Sequence, residues 1–253
     1  MTSEYSAQVD YTGISKVYDS YRSYTDDVIK KIIDLGRIGP GKKVLDLGCG
    51  TGNISYQIKN TVNTDMVGID VSPDMLKMAR SKSLEVVLAD IDNQQLPFHD
   101  GSLDAVVAAY VIHQIKNLKF MLSECYRVLR NGVLILLTSS HKQIEDQHPI
   151  IKDFFPGYVN IDKGRFPDID RIDSVLESLS FKDITHQEVT VSKIPIDEEY
   201  LEKVRNKYVS TYHLMPRSEF ENGIARLEDF VQKSGQPEFR DWHATIITGL
   251  KEE

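Results

Sequence analysis

Two carboxylates and three glycines are the first residues in this chain of 253 whose spacing suggests chemistry. The apolar run Val44-Leu45-Asp46-Leu47 holds one acid and leads at once into Gly48-Cys49-Gly50-Thr51-Gly52, with glycines on alternate positions. Glycine lets backbone approach a ligand where a Cβ would intervene. A second acid, Asp70, closes the run Val67-Gly68-Ile69 and lies 24 residues after Asp46. A nucleotide-binding βαβ unit places there the carboxylate that accepts from ribose hydroxyls. The dinucleotide fingerprint spaces its glycines G-x-G-x-x-G. Here they run Gly48-x-Gly50-x-Gly52, with Asp46 two residues ahead of the first. A carboxylate at that place repels a pyrophosphate and suits a cation.

These groups need a sheet to hold them. Residues 43–47 read as a buried strand, 48–52 as the tight turn at its carboxyl end, and 51–59 as the helix that follows. Residues 67–70 read as a second strand. Ser72 and Pro73 then open a helix as N-cap and first-turn proline, with Met75, Leu76 and Ala79 as its apolar stripe. Further strands are predicted over 84–88, 105–110, 133–137, 181–191 and 242–250. Helices are predicted over 117–129, 168–179, 198–208 and 218–233, the last with a capping box from Ser218 and Glu221. Strands alternating with helices predict an α/β fold, a doubly wound and mostly parallel seven-stranded sheet. Its ligand crevice lies beyond the carboxyl ends of the strands.

The stretch Val44 to Gly52 resembles motif I of class I S-adenosylmethionine (SAM)-dependent methyltransferases. With the ordered acids Asp46, Asp70, Asp90 and Asp104, the resemblance extends over about residues 43–138. It points to the small-molecule branch that includes the ubiquinone/menaquinone C-methyltransferase-like proteins. SAM carries both a ribose and a positive charge. The resemblance implies SAM, with S-adenosylhomocysteine (SAH) as product, held by Asp46, Gly48, Cys49, Gly50, Gly52, Asn53, Asp70, Val71, Met75, Asp90, Ile91 and Tyr110. It implies that Asp90 or its neighbour meets the adenine amino group. Tyr18-Asp19-Ser20-Tyr21-Arg22 resembles an amino-terminal element of the branch, which adds Tyr18 and Arg22 at the methionine end. Tyr110-Val111-Ile112-His113-Gln114 resembles the segment in which an apolar pair precedes histidine. His113 and His141, each just past the carboxyl end of a predicted strand, are the candidate bases. His113, Gln114, Tyr158, Arg165, Tyr208 and Tyr212 are candidates for the substrate side. One departure is Arg130-Asn131-Gly132, where the family has Lys/Arg-Pro-Gly-Gly before the fifth strand. A structural effect is expected, since that end of the strand faces away from the crevice.

Around the predicted core (41–138, 168–191 and 241–253) lie an amino-terminal helical cap (1–40) and two insertions, 139–167 and 192–240, expected to form a lid. Such a lid suits a small-molecule acceptor shielded from water. The net charge of −8, with no basic run longer than two, argues against a nucleic-acid substrate. No stretch is long and apolar enough to span a bilayer, and the polar amino end does not read as a signal peptide. Cys49 and Cys125 lack metal-ligand spacing, so no metal is expected and a cytoplasmic setting is the simplest reading. The apolar outer helices suit a monomer or a homodimer. Competing readings are a protein or RNA methyltransferase, which would show a basic face, and a non-catalytic SAM-binding regulator, which would show a crowded substrate side. A nicotinamide dehydrogenase conflicts with Asp46 and the glycine spacing.

Overall fold

The computed structural model describes residues 24–252, so Tyr18 and Arg22 lie outside the described residues. Seven strands form one sheet in the order β3-β2-β1-β4-β5-β7-β6. They are β1 (Lys43–Leu47), β2 (Asp65–Asp70), β3 (Glu85–Leu88), β4 (Leu103–Ala109), β5 (Leu129–Thr138), β6 (Lys182–Ile196) and β7 (Glu238–Leu250). Strands β1 to β5 are parallel, and β7 runs antiparallel to both β5 and β6. Chain order reverses between β1 and β4, which is where a doubly wound sheet opens its ligand crevice.

The central strands are apolar runs because both faces of the sheet are covered. Along β4 and β5, Val106, Ala108, Leu134 and Leu136 join one core with helices α4 (Leu118–Val128) and α8 (Ile169–Ser178). The alternate residues Ala105, Val107, Ile135 and Leu137 join a second core with α1 (Asp26–Leu35) and α2 (Asn53–Thr61). Helix α3 (Pro73–Ser81) begins as its sequence implies, with the Ser72 hydroxyl accepting from the Met75 N–H at 3.4 Å.

A third core holds helices α6 (Pro149–Phe154), α7 (Tyr158–Arg165), α9 (Glu198–Arg205), α10 (Ser210–Leu214) and α11 (Arg217–Lys233). The two insertions therefore pack on each other. The β6–β7 hairpin is longer than its sequence suggests, paired from Lys182↔Leu250 to Ile196↔Glu238. Residues 197–237 are inserted at its tip.

One local expectation fails. The Ser218–Glu221 capping box does not form, because α11 starts earlier: Pro216 is its N-cap and Glu221 accepts from Arg217 Nε at 2.6 Å. The capping box present is Ser140 with Gln143, opening the short helix α5 (His141–Glu145). The Arg130-Asn131-Gly132 segment is already part of β5. A Cβ on Gly132 would meet the Asp104 carbonyl oxygen at 2.3 Å, and the β4–β5 register shifts between Leu103 and Ala105. Among the described residues no helix is long and apolar enough to cross a membrane.

Candidate functional site

A cavity of about 470 Å³ lies beyond the carboxyl ends of β1, β2 and β4. The turn after β1 forms its floor. Gly48 and Gly52 have φ of +72° and +76°, a region unfavourable to residues with a Cβ. Added Cβ atoms would lie 2.3 Å from Val111 Cγ2 and 2.3 Å from Leu84 Cδ1, so the turn packs against β4's exit on one side and the start of β3 on the other. Asp70 at the end of β2 ties the turn down. Its Oδ2 accepts from the Gly50 N–H and its Oδ1 from the Ser72 N–H, both at 2.8 Å. Burial raises the Asp70 pKa, against the pull of those N–H groups and of Val71.

Asp46 is buried and accepts from the Ser55 hydroxyl at 2.6 Å. Burial lifts its pKa to about 6, the Ser55 bond opposes this, and the Asp70 charge adds to it. Asp90 instead lies below the usual carboxylate range, chiefly through the Asn93 side-chain bond at 2.9 Å. Asp46, Asp70, Asp90 and Asp92 line the cavity against Lys116, so its field favours a ligand with positive charge. Asp104, the fourth acid of the series, lies at the other end of the sheet. It accepts from the Lys43 N–H at 2.9 Å and pairs with Lys42 and Arg130.

The structure brings Asp46, Gly48, Cys49, Gly50, Asn53, Asp70, Val71, Met75, Asp90, Ile91, Tyr110 and Gln114 to this cavity. Gln114, expected on the substrate side, lines this first cavity with the residues expected to hold SAM. Gly52 supports the turn from beneath and does not line the cavity. Cys49 is a packed thiol, held protonated by burial and by the Asp46 and Asp70 charges.

A second, smaller cavity of about 40 Å³ adjoins the first through Tyr110, which lines both. Tyr110 is non-glycine with φ +50° and packs its ring 5.0 Å from that of Trp242. Such strain is of order 1–3 kcal/mol and clusters at working sites. His113, Tyr158 and Tyr208 line this cavity too, with the His113 ring stacked 4.2 Å from Phe166.

Besides Gly52, three described candidates lie outside both cavities. His141 bonds through Nε2 to the Phe166 carbonyl at 2.9 Å and faces Asp168 at 3.8 Å, a bracing role. Arg165 donates to Ser210 Oγ at 3.1 Å and lies 3.7 Å from Asp162. Tyr212 is buried among the aromatic rings of the third core. Tyr24 and Lys116 on the first cavity and Arg240 on the second were missed. Arg240 had a signal. Period-two alternation puts it on the same face as Trp242, Ala244 and Ile246, a charge on an inward row.

Residues 45–137 match the family model described as methyltransferase domain. A demethylmenaquinone methyltransferase of Thermus thermophilus is 36% identical over 108 residues, covering 41% of this chain and 49% of that protein. A malonyl-[acyl-carrier protein] O-methyltransferase of Serratia marcescens is 32% identical over 124 residues, covering 48% of each. The chain thus spans about half the length of these relatives. Among solved structures, a protein of Anabaena variabilis assigned as a methyltransferase from an antibiotic biosynthesis pathway superposes with a TM-score of 0.71 at 22% identity, covering 91% of this chain and 99% of that one. A phosphoethanolamine N-methyltransferase 2 of Haemonchus contortus superposes with a TM-score of 0.64 at 17% identity, over 98% of this chain and 58% of that one. The structural likenesses show a shared fold. With the matched domain and the glycine turn between two acids, they lead to one assignment: residues 45–137 are a class I SAM-dependent methyltransferase domain.

Proposed function

We propose that this chain transfers the methyl group of SAM to a small-molecule acceptor presented from the second cavity. One observation carries the reading: Asp46, Asp70 and a turn that tolerates no Cβ at Gly48 meet in one cavity, which touches a second pocket through Tyr110. These groups fit SAM. Asp70 keeps acceptor capacity for ribose hydroxyls after its two backbone bonds. Asp46 suits the positive charge, and the exposed apolar Val71 beside Asp70 suits the adenine face.

SAM supplies a methyl group on positive sulfur, which needs little activation. The chain's task is positioning. The Gly48–Gly52 turn holds the cofactor's backbone-facing side. Tyr110, fixed by its 2.8 Å N–H bond to the Leu137 carbonyl, separates the two cavities and sets the direction of approach. His113 is the ring placed to orient the acceptor or take a proton, because its stack on Phe166 fixes its plane. Helices α6, α7 and α9 to α11 cover the acceptor side, which limits water at the reacting centre.

The small size of the second cavity favours one other reading, a SAM-binding protein without turnover. Calorimetry of the full chain with SAM and SAH, followed by an acceptor screen, separates the two. Tight SAH binding with a methylated product supports the proposal. Binding with no product from any acceptor supports the regulator. Absence of binding in a folded sample overturns both.

A further inference from the structure

Arg240 is the least expected residue in the second cavity. It is 3% exposed and comes from the amino half of β7. Its Nη1 donates to the hydroxyls of Tyr200 at 3.0 Å and Tyr208 at 3.5 Å, and its Nη2 to Oε1 of Gln147 at 2.9 Å. Each of these partners is neutral. No carboxylate among the described residues pairs with it, and its buried Nε has no hydrogen-bond partner. Asp162, the acid on the same cavity wall, is engaged elsewhere. It accepts from Thr211 Oγ1 at 2.7 Å and sits 3.7 Å from Arg165. Glu238, two residues along the strand, is more than half exposed and faces His148.

A desolvated cation surrounded only by neutral dipoles is an unfavourable arrangement, and buried charges are ordinarily paired. The missing partner is an anion. A guanidinium presents a planar fork of N–H groups that matches carboxylate and phosphate oxygens. A hydroxyl that accepts from arginine retains its own hydrogen, so Tyr208 on the cavity wall can also donate to an anion. The volume agrees. One water needs roughly 10–15 Å³ on this measure, so about 40 Å³ takes a group of a few atoms and not a whole acceptor.

We propose that Arg240 anchors an oxyanion, a carboxylate or a phosphate, carried by the methyl acceptor. The assignment to an acceptor rests on the methyl-transfer reading above. The charged group sits in the second cavity, and the rest of the molecule extends past Tyr110 and His113 toward the first. The substrate class is then a small anionic molecule, held at its charged end and methylated elsewhere or on the anion's exposed oxygen.

Trp242 is the chain's single tryptophan and lines the same cavity, so its fluorescence reports occupancy. The full chain is titrated at constant ionic strength with malonate, inorganic phosphate and malonamide, the neutral counterpart of malonate. We expect a saturable change in Trp242 emission with malonate or phosphate and none with malonamide. A response to malonate alone identifies a carboxylate, and a response to phosphate alone a phosphate. Arg240→Gln should weaken the response at least tenfold, and Arg240→Lys should retain part of it. Equal responses to malonate and malonamide, no saturable response to either anion, or an undiminished response in Arg240→Gln would overturn the proposal. If Arg240→Gln does not fold, the malonate–malonamide contrast on the unaltered chain decides. SAH calorimetry on the same samples keeps the two readings apart: an anion response without SAH binding defeats methyl transfer and leaves the anion site in place.

Discussion

Asp46 and Asp70 face the same cavity, but their environments give them different work. Asp70 is bonded to two backbone N–H groups, so it positions the glycine turn as well as offering oxygens to a ligand. Asp70→Ala should weaken SAM binding by about 1.5–3 kcal/mol, the worth of a charge-assisted hydrogen bond. It should also lower the melting temperature, since the Gly50 and Ser72 N–H groups lose their acceptor. Calorimetry reads the first effect, and unchanged affinity would remove Asp70 from the ligand site. Asp46 gives a pH signature. Its folded pKa, about 6, is above the reference value of 3.8. The folded state therefore holds that proton more tightly than the unfolded chain does. Stability from this group is fully present below the unfolded value and is lost as pH rises through about 6. A cation bound beside Asp46 favours the ionised form, so binding expels the proton. SAM affinity should rise by up to about tenfold per unit between roughly pH 5 and pH 6 and level off above 7. Asp46→Asn should flatten the profile. Equal binding heats in buffers of different ionisation enthalpy near pH 5.5 would show that no proton leaves.

The β1–turn–α2 unit converts sequence into a site most directly, and it can be tested as an element. Gly48→Ala combines a left-handed backbone with a Cβ 2.3 Å from Val111 Cγ2. The backbone strain alone is of order 1–3 kcal/mol. Denaturant unfolding should show a loss of at least about 1 kcal/mol, and adding Val111→Ala should recover the steric part but not the backbone part. Equal stability of Gly48→Ala and the parent chain would contradict the geometry. This unit was legible in the sequence because parallel strands covered on both faces appear as short apolar runs, and because turn glycines are conspicuous. The Ser72 cap was legible for the same local reason. The insertions were less so. Helix α10 has five residues, and its burial comes from partners far away in sequence such as Phe155 and Tyr158. The start of β7 was missed because residues 238–241 carry no apolar run, so the alternation that joins Arg240 to Trp242 went unread. Nothing local announces the left-handed Tyr110. Its conformation comes from docking between β5 and Trp242.

At the scale of the whole molecule, three cores divide the labour. Two cover the faces of the sheet and hold the first cavity, while the third ties α6 and α7 to α9, α10 and α11 over the second. The division makes a prediction about independence. Gly223 lies in the interior of α11, where a Cβ would fall 2.2 Å from Phe155 Cε1 and 2.8 Å from the Phe154 carbonyl oxygen. Helix propensity favours alanine there by roughly 1 kcal/mol. A clash with backbone and a buried ring outweighs that gain, since overpacking typically costs about 1–3 kcal/mol. Gly223→Ala should therefore loosen the third core, seen as faster amide hydrogen exchange in residues 149–166 and 198–233. SAH affinity should be unchanged, because the residues at the first cavity belong to the sheet and its turns. The Trp242 response to anions should weaken, because Tyr158 and Tyr208 lose their fixed positions. A parallel fall in SAH affinity would mean that the outer helices and the cofactor cavity are coupled, and that helix closure takes part in binding SAM itself.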